Sequence, residues 1–128
     1  MAQITVVGLG PGDFGLLTMA AWEAMQAASP LLLRTAVHPT AEALRQRGIA
    51  FTSYDARYEA AADFDSLYEF IAADLLARAE DAPHLVYAVP GSPLVAERTV
   101  GLLRQRAEAA GVKLVILPGM SFAEIFCH

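Results

Sequence analysis

The chain has 128 residues, enough for one domain with a real core, and its formal net charge of −5 argues against wholesale binding to nucleic acid. It is 55% hydrophobic and 18% charged with a mean hydropathy of +0.40, which fits a parallel sheet covered on both faces or an apolar surface that meets a partner. The single cysteine, Cys127, excludes an internal disulfide and fits a reducing cytoplasm, no Lys or Arg precedes Arg34 as a secretory leader would require, and no apolar run is long enough to span a bilayer.

Residues 4–7, Ile-Thr-Val-Val, are apolar and β-branched and read as a strand buried on both faces. Gly8, Gly10 and Gly12 follow, with Pro11 between them and Asp13 after. A buried strand opening into a glycine loop and then a helix is the usual mouth of a ligand site in an open α/β sheet. The ligand is not a dinucleotide held in the ordinary way. The third glycine of that fingerprint falls on Asp13, and Arg34 and Thr35, not an acid, end the second strand. The phosphate loop ending in Gly-Lys-Ser/Thr is absent, and Pro11 removes one N–H that a phosphate cradle would use. Taken alone, this loop reads as a tight turn without a ligand.

Residues 14–28 read as a helix whose regular part Thr18 caps, and Ser29-Pro30 stops it. Residues 31–33 are a second buried strand. His38-Pro39-Thr40 leads into a short helix over 41–47, closed by Gly48. Residues 49–54 read as a third strand and 55–63 as a loop with a helical turn. Asp65 is the expected N-cap of a helix over 66–80, with Leu67, Phe70, Ile71 and Leu75 at helical spacing. Residues 85–89 are the fourth strand. Pro90-Gly91-Ser92-Pro93 then turns sharply, with Ser92 expected as N-cap and Pro93 as first residue of a helix over 94–110. Residues 112–117 are the fifth strand. After Pro118-Gly119, residues 121–128 start another helix, where Ser121 and Glu124 match a capping box. The whole predicts one α/β domain over residues 1–128 with a mainly parallel sheet.

Three strands thus end in the same kind of loop: Gly10-Pro11-Gly12, Pro90-Gly91-Ser92-Pro93 and Pro118-Gly119-Met120-Ser121. In a parallel sheet all three lie at one edge, which favours a shared ligand site. Capping is the expected role of the Ser92 and Ser121 side chains, with ligand contacts left to the backbone. No nucleophile is paired with a base, no His/Cys/Asp cluster has metal spacing, and His38 and His84 read as surface residues.

At these loops the sequence resembles the tetrapyrrole methylases, which are S-adenosylmethionine-dependent methyltransferases. The resemblance rests on residues 7–13 with Leu17-Thr18, residues 89–95 and residues 117–122. The strings over 33–39 and 86–99 look closest to the methylase-like domain that bacteria fuse to a MazG-type nucleotide pyrophosphohydrolase. The resemblance implies two α/β domains with the cofactor in the cleft between them. The first has helices on both faces of a five-stranded parallel sheet of order 3-2-4-1-5. It implies that Pro11 lines the cleft, that Pro90, Gly91 and Ser92 hold the methionine end of S-adenosylmethionine with Val95 beside them, and that Ser121 and Phe122 contact it from the fifth strand's loop. Many relatives carry Asp where Ser92 stands, and several porphyrin-methylating ones carry Asp just after the second strand, where this chain has Arg34 and Thr35. That departure bears against proton abstraction here, and Arg34 offers an acidic substrate a partner.

The resulting expectation is the methyl-donor-binding half of such an enzyme, ending at His128 without the second domain and inactive alone. It acts on a small-molecule substrate, tetrapyrrole-like if the family type holds, with no nucleic acid and no membrane. The apolar Phe122, Ile125 and Phe126 are expected to drive a homodimer or to meet the missing domain or fused pyrophosphohydrolase. The competing expectation is a non-catalytic ligand-binding or regulatory module of a MazG-type pyrophosphohydrolase fusion. A nicotinamide-dependent dehydrogenase comes third.

Overall fold

The apolar run that opens the chain becomes β1, Gln3–Gly8, next to one edge of the sheet. A computed structural model describes residues 2–94 and 97–121. β1 pairs in parallel with β4, Leu85–Val89, on one side and with β5, Lys113–Leu117, on the other. β4 pairs with β2, Leu31–Leu33, and β2 with the short edge strand β3, Thr52–Ser53. The order is β3-β2-β4-β1-β5 and every ladder is parallel, as the resemblance implied. Parallel neighbours need crossover connections. These are α1, Met19–Gln26, α2, Pro39–Gln46, α3, Asp55–Ala60, α4, Phe64–Ala79, and α5, Arg98–Arg106.

Side chains alternate between the sheet faces. Ile4, Val6, Leu32, Leu85, Tyr87 and Val89 point to one face and pack with Leu67, Ile71 and Leu75 of α4 and Val100 and Leu103 of α5. Val7, Leu31, Leu33, Val86 and Ala88 point to the other, against Ala21 and Met25 of α1 and Ala41 and Leu44 of α2. All five β4 residues are buried, which is why that segment reads as an unbroken apolar run. Truncating one of the fully buried leucines to Ala would cost about 2–5 kcal/mol.

The structure corrects several boundaries. The helix expected over 14–28 is two pieces: a 3-10 turn at Phe14–Leu16, held by the Asp13 carboxylate on the Gly15 N–H, and then α1. Thr18 caps α1 as expected, accepting the Ala21 N–H at 3.1 Å. The N-cap of α4 is Asp63, not Asp65, because Asp63 accepts both the N–H and the hydroxyl of Ser66. The third strand is shorter than residues 49–54, since only Thr52 and Ser53 reach the ladder with β2. The helical turn expected within residues 55–63 is the short helix α3, Asp55–Ala60, with irregular chain after it. α5 begins at Arg98, not at residue 94. Pro93 and Leu94 form a turn, Glu97 takes the N-cap position, and Ser92 caps no helix. The expected capping box and the apolar helix start at 122–128 lie outside the described residues. Among the described residues no helix is long and apolar enough to cross a membrane.

Candidate functional site

Because all strands are parallel, the loops after β1, β4 and β5 emerge at one edge. The three expected loops meet there. Pairing continues past the strand ends: the Leu9 N–H donates to Val89 O at 2.7 Å, the Gly10 N–H to Gly91 O at 3.1 Å, and the Gly91 N–H to Gly10 O at 2.9 Å. The Ser92 hydroxyl oxygen accepts the Gly119 N–H at 3.1 Å and the Leu94 N–H at 3.3 Å. So the side chain expected to cap a helix fastens the β4 loop to the β5 loop instead.

Two glycines make this junction possible for different reasons. A Cβ on Gly8 would stand 2.2 Å from Gly91 O, so the main chains touch where only hydrogen fits. Gly91 adopts φ +65, the left-handed region that other residues enter at a cost of roughly 1–2 kcal/mol. Ser121 packs against Gly91, is 6% exposed, and its hydroxyl has no partner among the described residues.

The start of α2 locks the same edge from the other face. The Thr40 hydroxyl donates to Leu9 O at 2.9 Å. His38 Nδ1 accepts the Thr40 N–H at 3.1 Å, which puts the ring proton on Nε2, and Nε2 donates to Gly10 O at 3.1 Å. Burial holds the His38 pKa below its ordinary value, and the nearby Arg34 charge acts in the same direction. His38 is therefore a half-buried N-cap and tether, not a free surface residue, whereas His84 is exposed as expected.

The segment after β2 is held by one carboxylate. Asp55 accepts the Thr35 hydroxyl at 2.6 Å, the Ala36 N–H at 2.8 Å and the Ser53 hydroxyl at 2.8 Å. Its slight burial would raise the pKa, and these donors overcome that and hold it low. Arg34, read as a candidate partner for an acid, turns inward to Glu97, with Nε 3.5 Å from Oε2. Burial lifts the Glu97 pKa and Arg34 only partly opposes it.

Of the expected site residues, Pro90, Gly91, Ser92 and Ser121 belong to this junction, and Pro11 lies in the loop that Gly10 anchors to Gly91. Val95 and Phe122 lie outside the described residues. His38, Thr40 and Glu97 were missed. The signal for His38 was present: a side-chain acceptor before a proline at the first helical position is a helix-start pattern. Starting the helix at Ala41 hid it. Among the described residues no group of His, Cys, Asp and Glu could hold a metal ion. A groove of ≈ 630 Å³, lined by Glu69, Glu97 and Arg106 among others, runs along the α4 and α5 flank and does not include the three loops.

The sequence profile of the Tetrapyrrole (Corrin/Porphyrin) Methylases matches residues 3–127. The chain belongs to that family. It is 41% identical over 122 residues to the protein YabN of Bacillus subtilis (strain 168), a match that covers 95% of this chain and 25% of that protein. Among solved tetrapyrrole methylase-like structures, uroporphyrin-III C-methyltransferase from Thermus thermophilus, complexed with S-adenyl homocysteine, is 25% identical with a TM-score of 0.70. That alignment covers 94% of this chain and 49% of the methyltransferase. A diphthine synthase aligns with a TM-score of 0.73 over 98% of this chain and 47% of its own, at 24% identity, a likeness of fold. The chain thus spans about a quarter of its curated relative and about half of these solved chains.

Proposed function

We propose that this chain is the methyl-donor-binding half of an S-adenosylmethionine-dependent methyltransferase of the tetrapyrrole methylase type. The observation that carries the reading is the junction of three loops at the carboxyl edge, fastened through Gly10, Gly91, Ser92 and Gly119. The family match and the S-adenosylhomocysteine complex of the Thermus methyltransferase support the choice of donor.

The residues suit that cofactor. Ser121 presents a buried hydroxyl with spare hydrogen-bonding capacity beside Gly91. The junction is built of main chain and hydroxyls, which suits a zwitterionic amino-acid end recognised by peptide groups. Pro11, Pro90, Gly91, Ser92 and Ser121 would hold the cofactor, with Val95 and Phe122 added by the resemblance. When bound, it supplies an electrophilic methyl group. The protein's part is orientation and exclusion of water: its fixed loops keep the ligand edge from rearranging. Spanning about half of the solved relatives, the chain is proposed to be inactive alone and to need a second domain, a second copy or a fused partner to close the site. The acceptor is a small molecule.

A second reading is a non-catalytic ligand-binding or regulatory module of a MazG-type pyrophosphohydrolase fusion. It is favoured by Ser92, which stands where many relatives have Asp and whose hydroxyl is spent on Gly119 and Leu94. Calorimetric titration of the full-length protein with S-adenosylmethionine, S-adenosylhomocysteine and NAD tests both. Binding of the first two and not NAD is expected. Methylated product from an acceptor screen then separates enzyme from module. Absence of binding to either sulfur ligand overturns the methyltransferase reading.

A further inference from the structure

Arg34 follows β2, and its N–H donates to Ala88 O at 2.9 Å, which carries the β2–β4 ladder one step beyond Leu33. By strand alternation its side chain shares a face with Leu32 and Tyr87. α3 brings Tyr58 to that place and the start of α5 brings Glu97. The guanidinium lies 6.0 Å from the centre of the Tyr58 ring. Arg34 Nε and the hydroxyls of Tyr58 and Tyr87 are buried and have no hydrogen-bond partner among the described residues. Tyr87 is fully buried.

Glu97 does not answer these donors. Its carboxylate is within ion-pair distance of Arg34, at 3.5 Å, but outside hydrogen-bond geometry. Buried donors left unused are costly, and a carboxylate seated to satisfy this site would accept from at least one of them. The Arg34 cation and the Tyr58 and Tyr87 hydroxyls lie close enough for each to shift the others' pKa, and together they complement an anionic oxygen group with several lone pairs. Glu97 also lines an open cleft of ≈ 280 Å³ with Pro93, Leu94 and Arg104 among others.

We propose that Arg34, Tyr58 and Tyr87 form an anion-binding subsite for a carboxylate or phosphate of the methyl acceptor, with Glu97 as its displaceable resident counter-ion. Only the word acceptor rests on the methyltransferase reading; the subsite rests on the four side chains. The burial that lifts the Glu97 pKa fits this role, since a carboxylate displaced from Arg34 can take up a proton.

The test is calorimetric titration of the full-length protein with sodium glutarate and, separately, with inorganic phosphate. It uses wild type, Glu97→Gln, Arg34→Met and the double variant. Neutralising the resident competitor should tighten binding of one anion by about tenfold in Glu97→Gln, and removing the guanidinium should abolish it in both other variants. Preference for glutarate or phosphate tells a carboxylate site from a phosphate site. If Arg34→Met alone does not fold, the double variant, which buries no unpaired charge, carries the comparison. Three results overturn the proposal: Glu97→Gln no tighter than wild type, the double variant binding as well as Glu97→Gln, or no anion bound by any form. Each means a structural ion pair only. S-adenosylhomocysteine titrated into the same samples reports on the methyl-donor edge separately, so failure there does not mimic failure here.

Discussion

The hydroxyl of Ser92 accepts the main-chain N–H of Gly119 at 3.1 Å, so one side chain joins the loops leaving β4 and β5. Ser92 is 3% exposed, and water cannot readily replace the bond. The two strands are not neighbours, since β1 lies between them. The bridge therefore spans β1 and fixes the width of the ligand edge directly.

Ser92→Ala removes that acceptor and leaves the Gly119 N–H without it. An unsatisfied partly buried donor costs about 1–2 kcal/mol. The expected outcome is a melting temperature lower by roughly 3–8 °C, with faster hydrogen exchange at the Gly119 amide and weaker S-adenosylhomocysteine binding. Unchanged exchange at Gly119 would mean the bridge does not order the β5 loop.

Two glycine-to-alanine changes should have opposite signs. In Gly8→Ala the new Cβ meets Gly91 O at 2.2 Å, and main chain cannot step aside cheaply. A loss of about 1–3 kcal/mol is expected, with damage to ligand binding. In Gly101→Ala, inside α5, the new Cβ meets nothing within 4 Å. A gain of roughly 0.5–1 kcal/mol is expected there from the stiffer unfolded chain. Denaturant melts of both variants decide it; equal effects would show that the clash at Gly8 relaxes.

Much of this molecule was legible because its strands are apolar on both sides and its glycines and prolines punctuate them. Val86-Tyr87-Ala88 announces a central parallel strand, and Thr18 announces a cap that the structure keeps. The junction of three loops followed from parallel topology alone. What the sequence hid was choice between partners. Ser92 before Pro93 has the form of a helix cap, yet its hydroxyl goes to Gly119, a contact 27 residues away. Asp63 and Asp65 both suit the start of α4, and only the backbone path decides for Asp63. Arg34 at a strand end reads as a partner for an acidic substrate, and nothing local says that α5 brings Glu97 to it.

Asp55 should make stability fall in acid. Its native pKa lies below the ordinary value, because the Thr35 hydroxyl, Ala36 N–H and Ser53 hydroxyl outweigh a slight burial. The unfolded chain then binds the proton first as pH falls. This contribution is complete above the ordinary Asp value, about 3.9, and is lost as pH drops through the lower native value. Asp55→Asn cannot accept all three bonds. It should be less stable than wild type at neutral pH and show a shallower loss between about pH 4 and pH 2. Parallel stability curves for the two proteins would remove Asp55 as the anchor of the segment after β2.

His38 should give a second, milder dependence at higher pH. The neutral ring makes two bonds: Nδ1 accepts the Thr40 N–H and Nε2 donates to Gly10 O. Protonation leaves the Gly10 bond but turns Nδ1 into a donor facing a donor, so the cap of α2 is lost. Burial and the Arg34 charge hold the native pKa below the ordinary value of about 6.5, so the unfolded chain binds the proton first on acidification. Stability is complete above that value and falls as pH drops below it. His38→Asn separates the two bonds. Asn is a good N-cap, so α2 keeps its start, but the shorter side chain cannot reach Gly10. At pH 7.5 the variant should therefore be less stable than wild type by about one hydrogen bond, of order 0.5–1.5 kcal/mol. Toward pH 5 wild type should lose this advantage, since the variant has nothing to titrate at that position and lacks that component of the pH dependence. Urea melts at pH 7.5, 6.5 and 5.5 compare the two curves. Curves that stay parallel across that range would show that protonating His38 does not cost α2 its cap.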